Sequence, residues 1–266
     1  MSRAVSWAFF VALAYLLVAT LLSRFVHLPT LGNIGFTLVF TGFSASHAGA
    51  ALGWKRTAAF FAISAIVSWL FEYVGVATGA VYGPYHYGDT LGPKLGGVPV
   101  IIPLAWFMMI YPSWEVAGAL LGDSYAPAGA VLAGRVLVAS MVMTMWDTVM
   151  DPGMAASGSW VWERGGPYFG VPFSNYLGWL VTTFSVYLLS GLALRSVRGP
   201  GPASLSRWFL ALPIIIYALM TSTYLTPRRI ESLAPLRLIA AFTMGFASLL
   251  ALCRICLGNG PRDAAR

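Results

Sequence analysis

Apolar runs of about 18–25 residues recur along this chain, and no other feature constrains its fold as strongly. A helix rises about 1.5 Å per residue, so each run is long enough to cross about 30 Å of hydrocarbon. Eight runs are read, at roughly 5–22, 34–52, 57–80, 99–121, 127–150, 177–194, 208–225 and 236–257. Seven is the alternative count, because 208–225 contains Pro213 and ends in Thr and Ser. The first run lacks a small-residue cleavage site and is read as an uncleaved span. The expected fold is an all-α integral membrane protein, one polytopic bundle over residues 1–266.

Composition supports this and removes other classes. Only 9% of residues are charged, against roughly 25% in soluble domains. The net charge of +7 comes from 16 basic residues against 9 acidic ones, and the basic residues are scattered between apolar runs. Nucleic-acid binding calls for a basic stripe, so these cations read as topology signals. An even span count puts both termini on one side. That side carries Arg3, Lys55, Arg56, Arg195, Arg198, Arg207, Arg254, Arg262 and Arg266. The other carries Arg24, Lys94, Arg164, Arg228, Arg229 and Arg237. The excess points to cytoplasmic termini in a cell-membrane protein. The only cysteines, Cys253 and Cys256, cannot form a disulfide scaffold or a paired zinc motif.

The two longest interior loops, about 81–98 and 151–176, lie two spans apart and so open on the same face. Long loops in compact proteins are functional or disordered, and these are too aromatic for disorder. They echo each other. Gly83-Pro84-Tyr85, Val98-Pro99 and Trp106 in the first match Gly166-Pro167-Tyr168, Val171-Pro172 and Trp179 in the second. The echo suggests that the two loops form one structure. The segment 197–207 reads as a plain linker.

Acids inside spans are expensive and mark function by default. Glu72 lies two turns before the third span ends, and Asp147 and Asp151 share one helical face at i, i+4. Two close carboxylates repel, so one is expected to keep its proton near neutral pH and act as a general acid. Each also has a purely structural alternative: Asp151 as a partner for backbone donors at a helix end, Asp147 and Glu72 as hydrogen-bonded struts. Glu115 sits at the depth of Arg135 on the next helix and is expected to pair with it, away from the chemistry. His86 and Asp89, on the loop after Glu72, could relay a proton to water; Glu163 and Arg164 are expected to pair at the interface. Tyr82, Tyr85, Tyr87, Trp146, Trp160, Trp162, Tyr168 and Tyr176 suit an interfacial belt or a pocket that stabilises a cation through ring faces.

Three histidines, His27, His47 and His86, are too few for a membrane di-iron centre. No G-x-G-x-x-G, P-loop or G-x-S-x-G motif occurs, so no cofactor and no metal are expected.

These residues carry a resemblance. The stretch from Glu72 through about Leu180 contains E-Y-x-G, Y-G-x-Y-x-Y, W-D-x-x-x-D-P and G-V-P-x-x-N in order. In these motifs the chain resembles the carotenoid biosynthesis membrane proteins that include carotenoid 1,2-hydratases of the bisanhydrobacterioruberin and γ-carotene type. The resemblance implies addition of water across the terminal C1=C2 bond of an acyclic carotenoid end, giving a tertiary alcohol. Its partners would be an acyclic or monocyclic carotenoid and the lipid bilayer. The chemistry then suggests roles. Asp147 or Asp151 protonates the alkene, and Glu72 orients the water or takes its proton. Tyr82, Tyr85, Trp146, Trp160, Trp162 and Tyr168 line the cation, and Asn175 and His86 hold the water. A carotenoid cyclase, a membrane prenyltransferase and a carotenoid carrier are the competing readings.

Overall fold

A computed structural model describes residues 3–23, 25–122, 127–196, 205–226 and 230–257. Arg24, Arg198, Arg228, Arg229, Arg262, Arg266 and most of the linker 197–207 lie outside the described residues. The helices are α1 (Arg3–Leu22), α2 (Asn33–Leu52), α3 (Trp54–Thr78), α4 (Ile102–Leu121), α5 (Gly129–Ala156), α6 (Phe173–Ser196) and α7 (Arg207–Leu225). A last helical rod follows a short 3-10 turn (Glu231–Leu233). It comprises α8 (Leu236–Ala240), a π-helical turn (Ala241–Gly245) and α9 (Phe246–Cys256). All eight expected spans are therefore helical, and the protein is an all-α membrane bundle.

Seven of these rods are long and apolar enough to cross a membrane. The one below that threshold is α2, whereas α7 with its Pro213 passes it. The expected ambiguity thus sat on the wrong helix. Thr37, Thr41, Ser44, Ser46 and His47 dilute the hydropathy of α2, but all are buried. Thr41 and Ser44 donate to the carbonyls of Leu104 and Met108 on α4, at 3.1 and 2.8 Å. Hydroxyls spent on backbone carbonyls cost little in hydrocarbon, so a polar face can stay at a helix interface. α4 is the central post, touching α2, α3, α5, α7 and α9.

Three prolines inside helices explain much of the bundle's cross-linking. A helical proline has no N–H, so the carbonyl four residues earlier loses its donor. In each case another element supplies one. Pro112 frees Met108 O, which takes the Ser44 hydroxyl. Pro213 frees Phe209 O, which lies 2.8 Å from His47 Nε2. Pro152 frees Thr148 O, which takes the Tyr168 hydroxyl at 3.0 Å. Because α5 runs through Pro152 to Ala156, Asp151 lies within the helix instead of at its end.

Glu115 and Arg135 approach to 3.9 Å, both buried, where Arg135 also donates to Trp114 O and lies over the Trp114 ring. At the opposite end, the two long loops join. β1 (Tyr85–Tyr87) pairs antiparallel with β4 (Trp160–Trp162), while β2 (Lys94–Leu95) and β3 (Val98–Pro99) form a small hairpin. The expectation that the loops make one structure holds.

His47 provides a test of the proline rule. Its Nε2 faces a carbonyl and must donate, so Nδ1 accepts from the Tyr111 hydroxyl at 2.6 Å. His47→Phe keeps a ring against Phe209 but removes both hydrogen bonds. We expect a loss of about 1–3 kcal/mol, read as a lower unfolding temperature in detergent. An unchanged temperature would refute the role given to His47.

Candidate active site

β1 alternates its side chains, so Tyr85 and Tyr87 face inward and His86 faces out. Inward lies Glu72 of α3, only 4% exposed. The Tyr85 and Tyr87 hydroxyls both donate to its Oε2, Tyr87 at 2.8 Å. Trp106 Nε1, from the first turns of α4, donates to Oε1 at 3.0 Å. Burial, and then the nearby Glu72, push both phenols well above the ordinary tyrosine range, so they remain donors. Three neutral donors thus hold one carboxylate, with no cation among the described residues bonded to it.

The second acidic group faces it. Asp151 is buried; Trp160 Nε1 donates to Oδ1 and Asn175 Nδ2 to Oδ2 at 2.7 Å. The same Asn175 nitrogen donates to Asp147 Oδ2 at 2.9 Å. Asp147 is fully buried, and its Oδ1 meets no hydrogen-bonding partner among the described residues. Asn175 reaches both acids because α6 starts at Phe173, four residues before the expected span.

A cavity of about 570 Å³ joins the two groups. Glu72, Asp151 and Asn175 line it, with Tyr82, Tyr85, Tyr87, Trp106, Trp146, Trp160, Trp162 and Trp179. The walls are rings in mutual contact: Trp106 stacks on Trp179 at 4.1 Å, with Trp146 edge-on. The two tryptophans of the loop echo therefore meet face to face. Tyr82 is wedged between α3 and α6, since a Cβ on Gly75 or Gly178 would lie 2.7 or 2.5 Å from its ring. No Lys, Arg or His among the described residues lines the cavity, and among them no three His, Cys, Asp or Glu gather as a metal site would need.

Other expected site residues lie elsewhere. Asp147 sits behind the wall, tied to it through Asn175. Tyr168 is spent on Thr148 O and is not part of the lining; burial pushes its phenol up to about 12. His86 is exposed and pairs with Glu163 across the β1–β4 ladder, so Glu163 is engaged by His86 where Arg164 was expected. The β1–β4 pairing places 86 opposite 161, which brings 163 within reach. Asp89 is exposed and pairs with Lys94 at 2.9 Å, and that bond holds its carboxyl below the usual range. Sequence reasoning did not assign Tyr87 and Trp106 to Glu72. The Y-x-Y spacing was the available signal for the first, and the repeated tryptophan for the second.

The family described as "Carotenoid biosynthesis protein" matches residues 32–250, most of the chain. A bisanhydrobacterioruberin hydratase from Haloarcula japonica is 36% identical over 125 residues, 47% of this chain. The matched stretch spans 41% of that relative's length. No solved structure matches. With a family match covering both acidic helices, both long loops and most of the residues that line the cavity, the chain belongs to the carotenoid biosynthesis protein family.

Proposed function

We propose that the protein is a carotenoid hydratase that adds water to the terminal ψ-end double bond of an acyclic carotenoid end. The observation that carries this is one ring-walled cavity lined by two buried acids, Glu72 and Asp151, from separate helices, with no basic side chain among the described lining residues. The relative's hydratase name supports the reaction type.

The roles follow from where each group sits. Asp151 faces the cavity and Asp147 does not, so Asp151 is the proton donor to C2. The π electrons form the new C–H bond and leave a tertiary cation at C1. Ring faces of Trp106, Trp146, Trp160 and Trp179 stabilise that cation, as aromatic quadrupoles do in desolvated sites. A water held by Glu72 and Asn175 attacks C1, and Glu72 takes its proton, giving the tertiary alcohol. Proton return to Asp151 closes the cycle. Asp147 is a positioning residue: with Asp151 it fixes the Asn175 amide. His86 and Asp89, both at the surface, exchange protons with solvent. A prenyltransferase reading is weakened because a diphosphate needs cations and none of the described lining residues is one. The excess of basic residues on the terminal side supports cytoplasmic termini, with the site near the opposite face.

Expression in a lycopene-producing host is the direct test. The pigment is expected to gain the mass of one water, with or without O₂. An isomer of unchanged mass would mean cyclisation, added isoprene units would mean prenyl transfer, and an unaltered pigment would remove the enzymatic reading.

Purified variants test the roles. Glu72→Gln and Asp151→Asn are expected to lower kcat by about 10²–10⁴, the usual range for losing a general acid or base. Asp147→Asn should fall between these and the parent. His86→Gln is expected to cost less than about tenfold. Full turnover in both Glu72→Gln and Asp151→Asn would end the mechanism.

A further inference from the structure

Cavity-lining residues are not equally covered, and the pattern is one-sided. Glu72, Tyr82, Tyr85, Tyr87, Asp151 and Asn175 are all buried. Among the described lining residues, those that are exposed are Thr20, Ser23, Leu31, Asn33 and Ile230. The first four belong to the end of α1, the α1–α2 connection and the start of α2. Ile230 belongs to the connection that leads into the last rod. The cavity therefore opens beside the end of α1, the start of α2 and Ile230, at the end of the bundle that holds the β1–β4 ladder.

Around the opening, exposed apolar residues stand among exposed polar ones, His27, Asn33 and Glu231. Phe25 is 83% exposed, Val26 51% and Ile34 41%, all beside the mouth in sequence. The hydroxyl groups at the mouth are spent locally. Thr20 donates to Leu16 O, Ser23 to Thr20 O, Thr223 to Met220 O and Thr226 to Thr223 O. The exposed apolar side chains that line the mouth are Leu31, 50% exposed, and Ile230, 44%.

We propose that this mouth is the portal through which a linear isoprenoid chain enters from the lipid, its reacting end seated at Glu72 and Asp151 and its unreacted body trailing back past Leu31 and Ile230. The proposal rests on the hydratase reading for the identity of the chain but not for the route. It assigns Leu31 and Ile230 as gate residues that govern substrate loading and take no part in the chemistry.

The test uses one cysteine at a time. Cys253 and Cys256 are exposed, so both are first replaced by serine. Ile230→Cys is then introduced, with Leu249→Cys, exposed on α9 and absent from the cavity wall, as the control. Each purified protein is put into nanodiscs and divided, and half is labelled with a bulky maleimide. Lycopene loading is followed by quenching of tryptophan emission, since five tryptophans line the cavity. Hydrated product is measured in parallel. Labelling at 230 is expected to slow loading by about tenfold or more, as blocked access lowers the association rate. Labelling at 249 should change it less than about twofold. Equal loading with and without the label at 230 would overturn the portal, as would unlabelled protein that does not load. Loading that the label slows, without any hydrated product, would sustain the portal and remove the hydratase reading instead.

Discussion

A carboxylate held beneath a lipid surface has lost its water and must find donors in the protein. Ion burial costs several kcal/mol unless partners replace hydration. A cation would answer that cost with attraction, but the cavity wall carries none among the described residues. Glu72 is met by two phenols and an indole, and Asp151 by an indole and an amide. Neutral donors leave the acid chemically available, where a guanidinium would tie it into an ion pair. This is the opposite of the Glu115–Arg135 contact deeper in the bundle, which is packed under Trp114 and sits apart from the cavity.

Meeting that demand shapes the rest of the fold. Tyr85 and Tyr87 reach Glu72 only if β1 lies over the end of α3, and Trp160 reaches Asp151 only if β4 folds back over α5. Both happen together because β1 and β4 are partners in one ladder. Below, the same shortage of water acts on the backbone. The carbonyls released by Pro112, Pro152 and Pro213 each take a side chain from another element, so a local break in one helix becomes a link between two.

Much of this was legible in the residues. The spans stood out because hydrocarbon demands long apolar runs, and the end positions agree within a few residues except around the loops. There the apolar pattern fades before the helix does: α5 continues through Pro152 and α6 begins early at Phe173. Hydropathy cannot see a carbonyl capped from outside, which is also why Tyr168 looked like a cavity residue. The three acids were legible as rare charges in apolar runs. Their separation into two cavity-facing groups and Asp147 behind was not, since i, i+4 spacing gives a shared face without saying which member is nearer the void. Glu163 illustrates the same limit: its neighbour in sequence was Arg164, but a strand pairing across 77 residues brought His86 instead.

The order of partners along the chain has a consequence for biogenesis. Glu72 is met by residues 85, 87 and 106, Asp147 by 175, and Asp151 by 160 and 175. Every donor lies C-terminal to its acid, so a ribosome delivers each acid before anything that can solvate it. A lone α3 or α5 released sideways into lipid would carry a naked carboxyl. The smallest piece that can leave a translocation channel without that burden is a helical hairpin, α3 with α4 and α5 with α6.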